Sequence, residues 1–284
     1  MKKIPIFLRL IHGRCGSTLM MQLLSSGKNV YVDNKYPYEN RYLSYFDKAA
    51  SIIGNDPLST WTNDSLISEG NNLLGPIPYN DIEIFDKKNL SNELRKRFLN
   101  TLFDMIISKE KCLNEECIYY PEKATPQAIE NYNNIALCKN IFLIRDPRDI
   151  FISIREFNKK RDFLGFGWKE KQSEADFIRE LCVGFKQYLH HFSSIEEDER
   201  RFKIKYEDII KEPYNETKRL SKWLGSELDY DFVLGNRSNV KQHLTTKEGD
   251  SSNLRWEKEL SDELKSIFIE NIGQELKNVG YKTY

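Results

Sequence analysis

One stretch near the start constrains this chain more than any other. An apolar run from Ile4 to Ile11 is broken by Gly13 to Gly16, and Ser17 and Thr18 then open the apolar stretch Leu19-Met20-Met21-Gln22-Leu23-Leu24. The first run is apolar on both faces, as suits a strand in the middle of a parallel sheet covered by helices on both sides. The glycines read as a tight turn, and the hydroxyl residues ahead of the second run read as a helix start. Strand, glycine turn and helix N-terminus together gather backbone N–H groups at the positive end of a helix dipole, where a phosphate or sulfate can sit. Met1-Lys2-Lys3 ahead of the first run superficially resembles a signal peptide, but Arg9 interrupts the run and no small-residue cleavage site follows, so the segment is read as a buried strand.

The same alternation continues along the chain. Ile141 to Ile144 and Phe202 to Tyr206 read as further core strands, with Cys117 to Tyr120 a short one. Helices are expected over Ser91 to Ile107, Pro126 to Asn133, Pro147 to Phe157, Glu174 to Glu197, Tyr214 to Leu224 with Gly225 as its stop, and Ser261 to Lys277. Strands alternating with helices predict an α/β, three-layer fold with a central parallel sheet flanked by helices. Residues 33–80, aromatic and punctuated by Pro37, Pro57, Pro76 and Pro78, read as an insertion of short helices and loops that shapes a cleft, and residues 235–255 read as loop. Repeats and linkers are missing from the pattern, so a single domain over 1–284 is expected.

Composition narrows the function classes. Lys plus Arg and Asp plus Glu both number 43, a formal net charge of zero. That balance excludes a protein built to coat nucleic acid or an anionic membrane, while leaving room for a local basic pocket. No run reaches the roughly 18 apolar residues of a membrane span. Five scattered cysteines, Cys15, Cys112, Cys117, Cys138 and Cys182, suit reduced thiols in the cytoplasm. Cys112 and Cys117 have no second pair to complete a zinc set, so no metal is expected.

The loop His12-Gly13-Arg14-Cys15-Gly16-Ser17-Thr18 carries the first chemical signal. Arg14 adds a fixed bidentate charge beside the converging N–H groups. The loop is P-loop-like, but Gly16 precedes Ser17 directly, without the lysine of a nucleotide-kinase loop. Arg145 stands at the end of a core strand, and Ser153 follows in the next helix, where the two can grip a second phosphate.

Together these segments resemble the sulfotransferases that use 3′-phosphoadenosine 5′-phosphosulfate (PAPS). Gly13 to Leu19 is similar to their 5′-phosphosulfate loop, and Phe142 to Asp149 with Ser153 to their 3′-phosphate motif. Lys205-Tyr206-Glu207-Asp208 resembles the segment whose tyrosine lies near adenine, and Lys247-Glu248-Gly249 with Arg255-Trp256 the loop closing over the 3′-phosphate. The resemblance implies PAPS as donor and adenosine 3′,5′-bisphosphate as product. It implies cofactor binding by Arg14, Cys15, Gly16, Ser17, Thr18, Arg145, Ser153, Tyr206, Lys247 and Gly249. Three departures stand out: Cys15 replaces the usual serine, Leu19 stands where some cytosolic members have a tryptophan, and Glu248 stands where a basic residue is commoner.

Sulfuryl transfer needs a base for the acceptor proton and positive charge on the transferring oxygens. Glu39 lies in a Glu-x-Arg setting resembling the catalytic glutamate segment of protein-tyrosine sulfotransferases and many bacterial ones, and Lys123 matches their transition-state lysine. The catalytic set is therefore expected to be Glu39, Lys123 and Arg14. Glu122 competes as base, but neighbours on an extended segment point to opposite sides, which favours Glu39 if Lys123 faces the sulfuryl group. His12, His190, His191 and His243 are weaker candidates, and Tyr36, Tyr38, Tyr42, Tyr45 and Phe46 either line an acceptor pocket or pack the insertion. The expected acceptor is a small molecule, such as a natural product, offering a hydroxyl or amine, with no nucleic-acid or membrane partner. Two other readings stand beside this one. A nucleotide-dependent phosphotransferase lacks its loop lysine here, and a non-catalytic nucleotide-binding module would need neither Glu39 nor Lys123.

Overall fold

A computed structural model describes residues 1–32, 37–54, 67–69, 72–74, 86–110, 116–236, 245 and 252–283. In chain order its elements are β1 (Lys2–Leu10), α1 (Ser17–Ser25), α2 (Tyr42–Gly54), β2 (Ile67–Glu69), β3 (Asn72–Leu74), α3 (Lys87–Glu110), β4 (Cys117–Glu122), α4 (Pro126–Ile135) and β5 (Lys139–Ile144). There follow α5 (Pro147–Arg161), α6 (Glu174–Ser194), β6 (Arg201–Lys205), α7 (Tyr206–Lys211), α8 (Pro213–Leu224), α9 (Tyr230–Gly235), α10 (Trp256–Glu259) and α11 (Asp262–Asn278). The main sheet has the order β4-β1-β5-β6, with β1–β4 and β5–β6 parallel, and helices flank it. This is the α/β architecture that the alternating pattern predicts.

The chain divides into two compact units: Met1–Phe7 with Glu39–Cys138, and Leu8–Tyr38 with Lys139–Tyr284. In the first, β1 and β4 run in parallel register with Ile4 opposite Tyr119 and Phe7 opposite Glu122. Leu43 and Ala50 of α2, Phe103 of α3 and Ala128 of α4 are completely buried, and Phe46 stacks on Phe98 at 5.0 Å between ring centres. That contact assigns Phe46 to packing, whereas Tyr42 and Tyr45 stay exposed. Thr125 caps α4 by accepting from the Ala128 N–H, with Pro126 in the first turn, where its missing N–H costs nothing. β2 and β3 form a short antiparallel pair.

In the second unit β5 is buried from Asn140 to Ile144, which explains why its sequence is apolar on both faces. β6 alternates, burying Phe202 and Ile204 only. Asp146 caps α5 and Pro147 starts it, a combination worth about 1 kcal/mol in capping alone. Phe151, Trp168, Phe177 and Phe268 form an aromatic cluster in which Trp168 and Phe177 stack at 4.4 Å. Gly225 ends α8 at φ 71°, the left-handed stop expected of it.

Several boundaries differ from the sequence expectation. α3 begins at Lys87 rather than Ser91 and runs on to Glu110. α6 ends at Ser194, so the charged run from Glu196 forms the connection into β6 at Arg201, with Asp198 gathering the N–H groups of Arg200 and Arg201. Tyr206 does not end β6. It begins α7, because Glu207 and Asp208 place acidic side chains in a first helical turn, where the dipole favours them.

Candidate active site

The loop after β1 is built by alternating handedness. Arg14 has φ 69° and Gly16 φ 97°, while Cys15 between them lies outside the positive-φ region. Such alternation turns successive N–H groups toward one concavity. Gly16 then becomes the N-cap of α1 without a side-chain cap, and no acidic residue occupies the first turn. No side-chain cap or acidic residue therefore offsets the positive end of this nine-residue helix dipole, which favours an anion there. Gly16 is required twice over: its φ favours glycine, and a Cβ there would collide with the Tyr206 ring.

Arg14 is buried, its guanidinium lying 4.2 Å from the Phe157 ring centre with Nε donating to the Ser153 hydroxyl at 3.2 Å. Arg145, also buried, donates to the carbonyl of Arg14 at 3.0 Å and of Ser252 at 2.6 Å, and it stacks on Tyr206 at 4.6 Å. Its Nε–H reaches no acceptor among the described residues. A buried, charged and unmatched donor is rare enough to require an explanation, and an anion provides one. Ser153 also meets Thr245 at 3.3 Å, and the Tyr206 hydroxyl meets that of Ser252 at 2.8 Å. The second unit therefore brings together Arg14, Gly16, Arg145, Ser153 and Tyr206. Cys15 is a fully buried thiol and Thr18 a buried hydroxyl in the same loop, with Ser17 half-buried. Lys247 and Gly249, like Glu248, lie outside the described residues.

Around these residues stands a scaffold that motif reading did not single out. Asp149, fully buried, accepts from the N–H groups of Leu254 and Trp256. Arg148 lies 3.5 Å from the Trp256 ring centre and forks onto Asp146. Glu207 accepts from the Asp146 N–H and the Tyr281 hydroxyl. Burial and the charge of Asp146 push the Asp149 carboxyl up to about 6, and burial pushes Glu207 up to about 7. Both residues lie inside the quoted motifs, but their partners are too distant in sequence for any local pattern to pair them.

The first unit holds the other expected group. Glu39 receives Lys123 on Oε1 at 3.4 Å and Arg41 on Oε2 at 3.0 Å. Lys123 is buried and Glu39 about a third exposed, so a carboxylate at the surface is steered by a cation beneath it. Glu122, by contrast, is 2% exposed and accepts from the N–H groups of Leu43 and Ser44 and the Ser44 hydroxyl, capping α2. Burial raises its pKa, and those hydrogen bonds oppose the rise.

The weaker candidates separate. His12 packs edge-on against Phe185 at 5.8 Å, and burial lowers its pKa. His190 and His191 are both exposed on α6. Tyr38 is buried, and Tyr36, His243 and Cys112 lie outside the described residues. Among the described residues no helix is long and apolar enough to cross a membrane, and no cluster of three or more His, Cys, Asp or Glu is placed to hold a metal.

Known proteins set this geometry in context. A flavonol 4′-sulfotransferase from Flaveria chlorifolia is 24% identical over 164 residues, 56% of this chain and 46% of the plant enzyme, so the match spans about half of that relative. The sulfotransferase domain of the curacin biosynthetic pathway shares the fold at a TM-score of 0.51 and 16% identity, covering 99% of both chains. That of the Synechococcus PCC 7002 olefin synthase does so at 0.52 and 14%, covering 99% of this chain and 97% of its own. The sulfotransferase domain family model matches residues 13–272, from the loop glycine into α11, and the chain belongs to that family.

Proposed function

We propose that the chain transfers a sulfuryl group from PAPS to a hydroxyl or amine of a small-molecule acceptor. It works as a single domain over 1–284, with residues 33–80 shaping the acceptor cleft. The observation that carries this reading is the buried, unmatched Nε of Arg145 beside a loop that aims the uncapped N-terminus of α1 at one point. A donor with anionic groups at both ends of an adenosine fits two such features. When bound, PAPS supplies the sulfuryl group on a phosphate leaving group.

This chain's residues do the rest. Arg14 and the N–H groups of Cys15, Gly16, Ser17 and Thr18 hold the 5′-phosphosulfate, as helix N-termini hold phosphates. Arg145 and Ser153 hold the 3′-phosphate, and Tyr206 helps place adenine. Lys247 and Gly249 cover the 3′-phosphate on the strength of the family resemblance alone. Glu39 takes the acceptor proton, while Lys123 and Arg14 set positive charge against the transferring oxygens. The ion pair between Lys123 and Glu39 supports this division of labour, because it keeps base and cation together. The flavonol relative supports a small-molecule acceptor, and the odd, scattered set of five cysteines supports a cytoplasmic location.

Thermal denaturation with adenosine 3′,5′-bisphosphate and with ATP tests the reading. The bisphosphate is expected to stabilise the protein more, and greater stabilisation by ATP would overturn the assignment in favour of a phosphotransferase. A PAPS-coupled acceptor library, read by released bisphosphate, then identifies the acceptor.

A further inference from the structure

The first unit contains a cavity of about 960 Å³ among α2, α3 and α4. Small-molecule pockets are mostly lined by apolar and aromatic side chains. This one is not: among the described residues that line it none is aliphatic, and Tyr45 alone is aromatic. Arg41, Lys48, Lys87 and Lys88 contribute cationic side chains to its wall, against Asp86. Deeper in, Arg95 and Asp47 form a buried pair at 2.7 Å. Three further Arg95 donors are held by Ser51, Ser91 and Asn92, so that part of the wall is fixed and internally neutral. Among the described residues the net charge of the lining is therefore positive, and a cleft with protein walls concentrates that field on whatever enters.

Arg41 connects the cavity to chemistry. It lines the space and also donates to Glu39 Oε2 at 3.0 Å, so one end of the cavity lies within a single side chain of the proposed base. An occupant whose anionic group is drawn to the lysines of α2 and α3 would have its other functional groups within reach of the Arg41 end.

We propose that this cavity is the acceptor site, and that the acceptor is a hydrophilic molecule carrying an anionic group, a carboxylate or a phosphate ester, besides the hydroxyl or amine that is sulfated. This rests on the sulfotransferase reading above and adds the acceptor's chemical class to it. Lipophilic acceptors are disfavoured by a wall that would leave polar groups unpaired against them. Arg41 and the α3 lysines discriminate anionic from neutral acceptors.

The test is calorimetry on the full chain with adenosine 3′,5′-bisphosphate saturating, so that the phosphate loop cannot take the probe. Glucuronate is compared with glucuronamide, and glucose 6-phosphate with glucose. In at least one pair the anion is expected to bind about tenfold tighter than its neutral partner, the worth of one charge-assisted contact. The pair that shows it distinguishes carboxylate from phosphate. The preference is expected to shrink at high salt, and to fall severalfold both in Arg41→Gln, an exposed position, and in the Lys87→Gln/Lys88→Gln double variant. Bisphosphate affinity should not change in either variant. A bisphosphate-binding protein that shows no anion preference, or no binding of either anion at about 10 mM, overturns this inference alone. So does a preference that both variants retain. A protein that ignores the bisphosphate but prefers the anions overturns the sulfotransferase reading, and the acceptor role of the cavity with it.

Discussion

One carboxylate oxygen of Glu122 accepts both the backbone N–H and the hydroxyl of Ser44, each at 3.1 Å. With the Leu43 N–H on its other oxygen, Glu122 is the cap of α2, and its neighbour Lys123 reaches Glu39 instead. The two carboxylates should therefore fail differently. Glu39→Gln cannot accept a proton at neutral pH, and turnover should fall about 10²–10⁴-fold with bisphosphate affinity nearly unchanged. Glu122→Gln should retain more than about a tenth of the activity while losing about 1–3 kcal/mol of stability, because one capped N–H loses its acceptor in a buried site. Turnover and denaturant melts on both variants decide the matter, and a fast Glu39→Gln enzyme beside a dead Glu122→Gln one would exchange their roles.

Lys123→Ala should also depress turnover, through lost charge stabilisation rather than lost proton transfer. Its defect is expected to persist as pH rises, whereas Glu39→Gln should partly recover once the acceptor ionises unaided. Parallel recovery of both variants in a turnover profile against pH would contradict the separate roles.

Arg145→Ala should weaken adenosine 3′,5′-bisphosphate binding about ten- to a hundredfold, the worth of a charge-assisted pair. The loss for adenosine 5′-phosphosulfate, which has no 3′-phosphate, should be much smaller. Arg145 also joins the carbonyls of Arg14 and Ser252, so some loss is shared by both ligands. Equal calorimetric losses would make it a structural strut and no reader of that phosphate.

What the sequence disclosed follows from which interactions are local. The strand–glycine–helix order around Gly16, the proline-led starts of α4 and α5 and the stop at Gly225 are each decided within a few residues and were legible, whereas the caps at Thr125 and Asp146 were not singled out. The Glu39–Lys123 ion pair brings together two residues singled out separately, although no local pattern could pair them. The capping of α2 by Glu122, and the hold of Asp149 on Leu254 and Trp256, depend on segments remote in the chain. Glu122 and Lys123 do take different partners, but side-chain alternation could not say what Glu122 does. Tyr206 was misplaced by one element because apolar alternation in β6 runs on into it without a break.

Gly16→Ala should abolish tight bisphosphate binding by a route separate from charge. The residue has φ 97°, and a Cβ would enter the space of the Tyr206 ring. Strain at such a backbone position costs about 1–3 kcal/mol, and moving the ring would disturb its stacking with Arg145. In a Tyr206→Ala background, where the ring and its adenine contact are already gone, adding Gly16→Ala should still weaken binding, because the strain remains. No further loss relative to Tyr206→Ala alone in a calorimetric titration would show that crowding alone matters at this position.

The last prediction concerns stability against pH. The Asp149 carboxyl faces Asp146 and Arg145 and is pushed up to about 6, while Glu207, between the Asp146 N–H and Tyr281, is pushed up to about 7. A carboxyl whose folded pKa is raised releases its proton more readily in the unfolded chain. Its contribution is therefore complete below about pH 4 and is lost as pH climbs through about 6 for Asp149 and about 7 for Glu207. At about 1.4 kcal/mol per pKa unit they should together cost the fold on the order of 6 kcal/mol between pH 4 and 8. Glu122 acts in the same direction, while His12, whose pKa burial lowers, acts in the opposite one as pH falls. The comparison is therefore made against an Asp149→Asn/Glu207→Gln variant, in which Glu122 and His12 remain. Urea unfolding across this range should show a steeper loss of stability with rising pH in the parent than in the variant. Identical slopes would mean that both carboxyls titrate alike in the folded and unfolded chain, and that their burial is relieved by solvent.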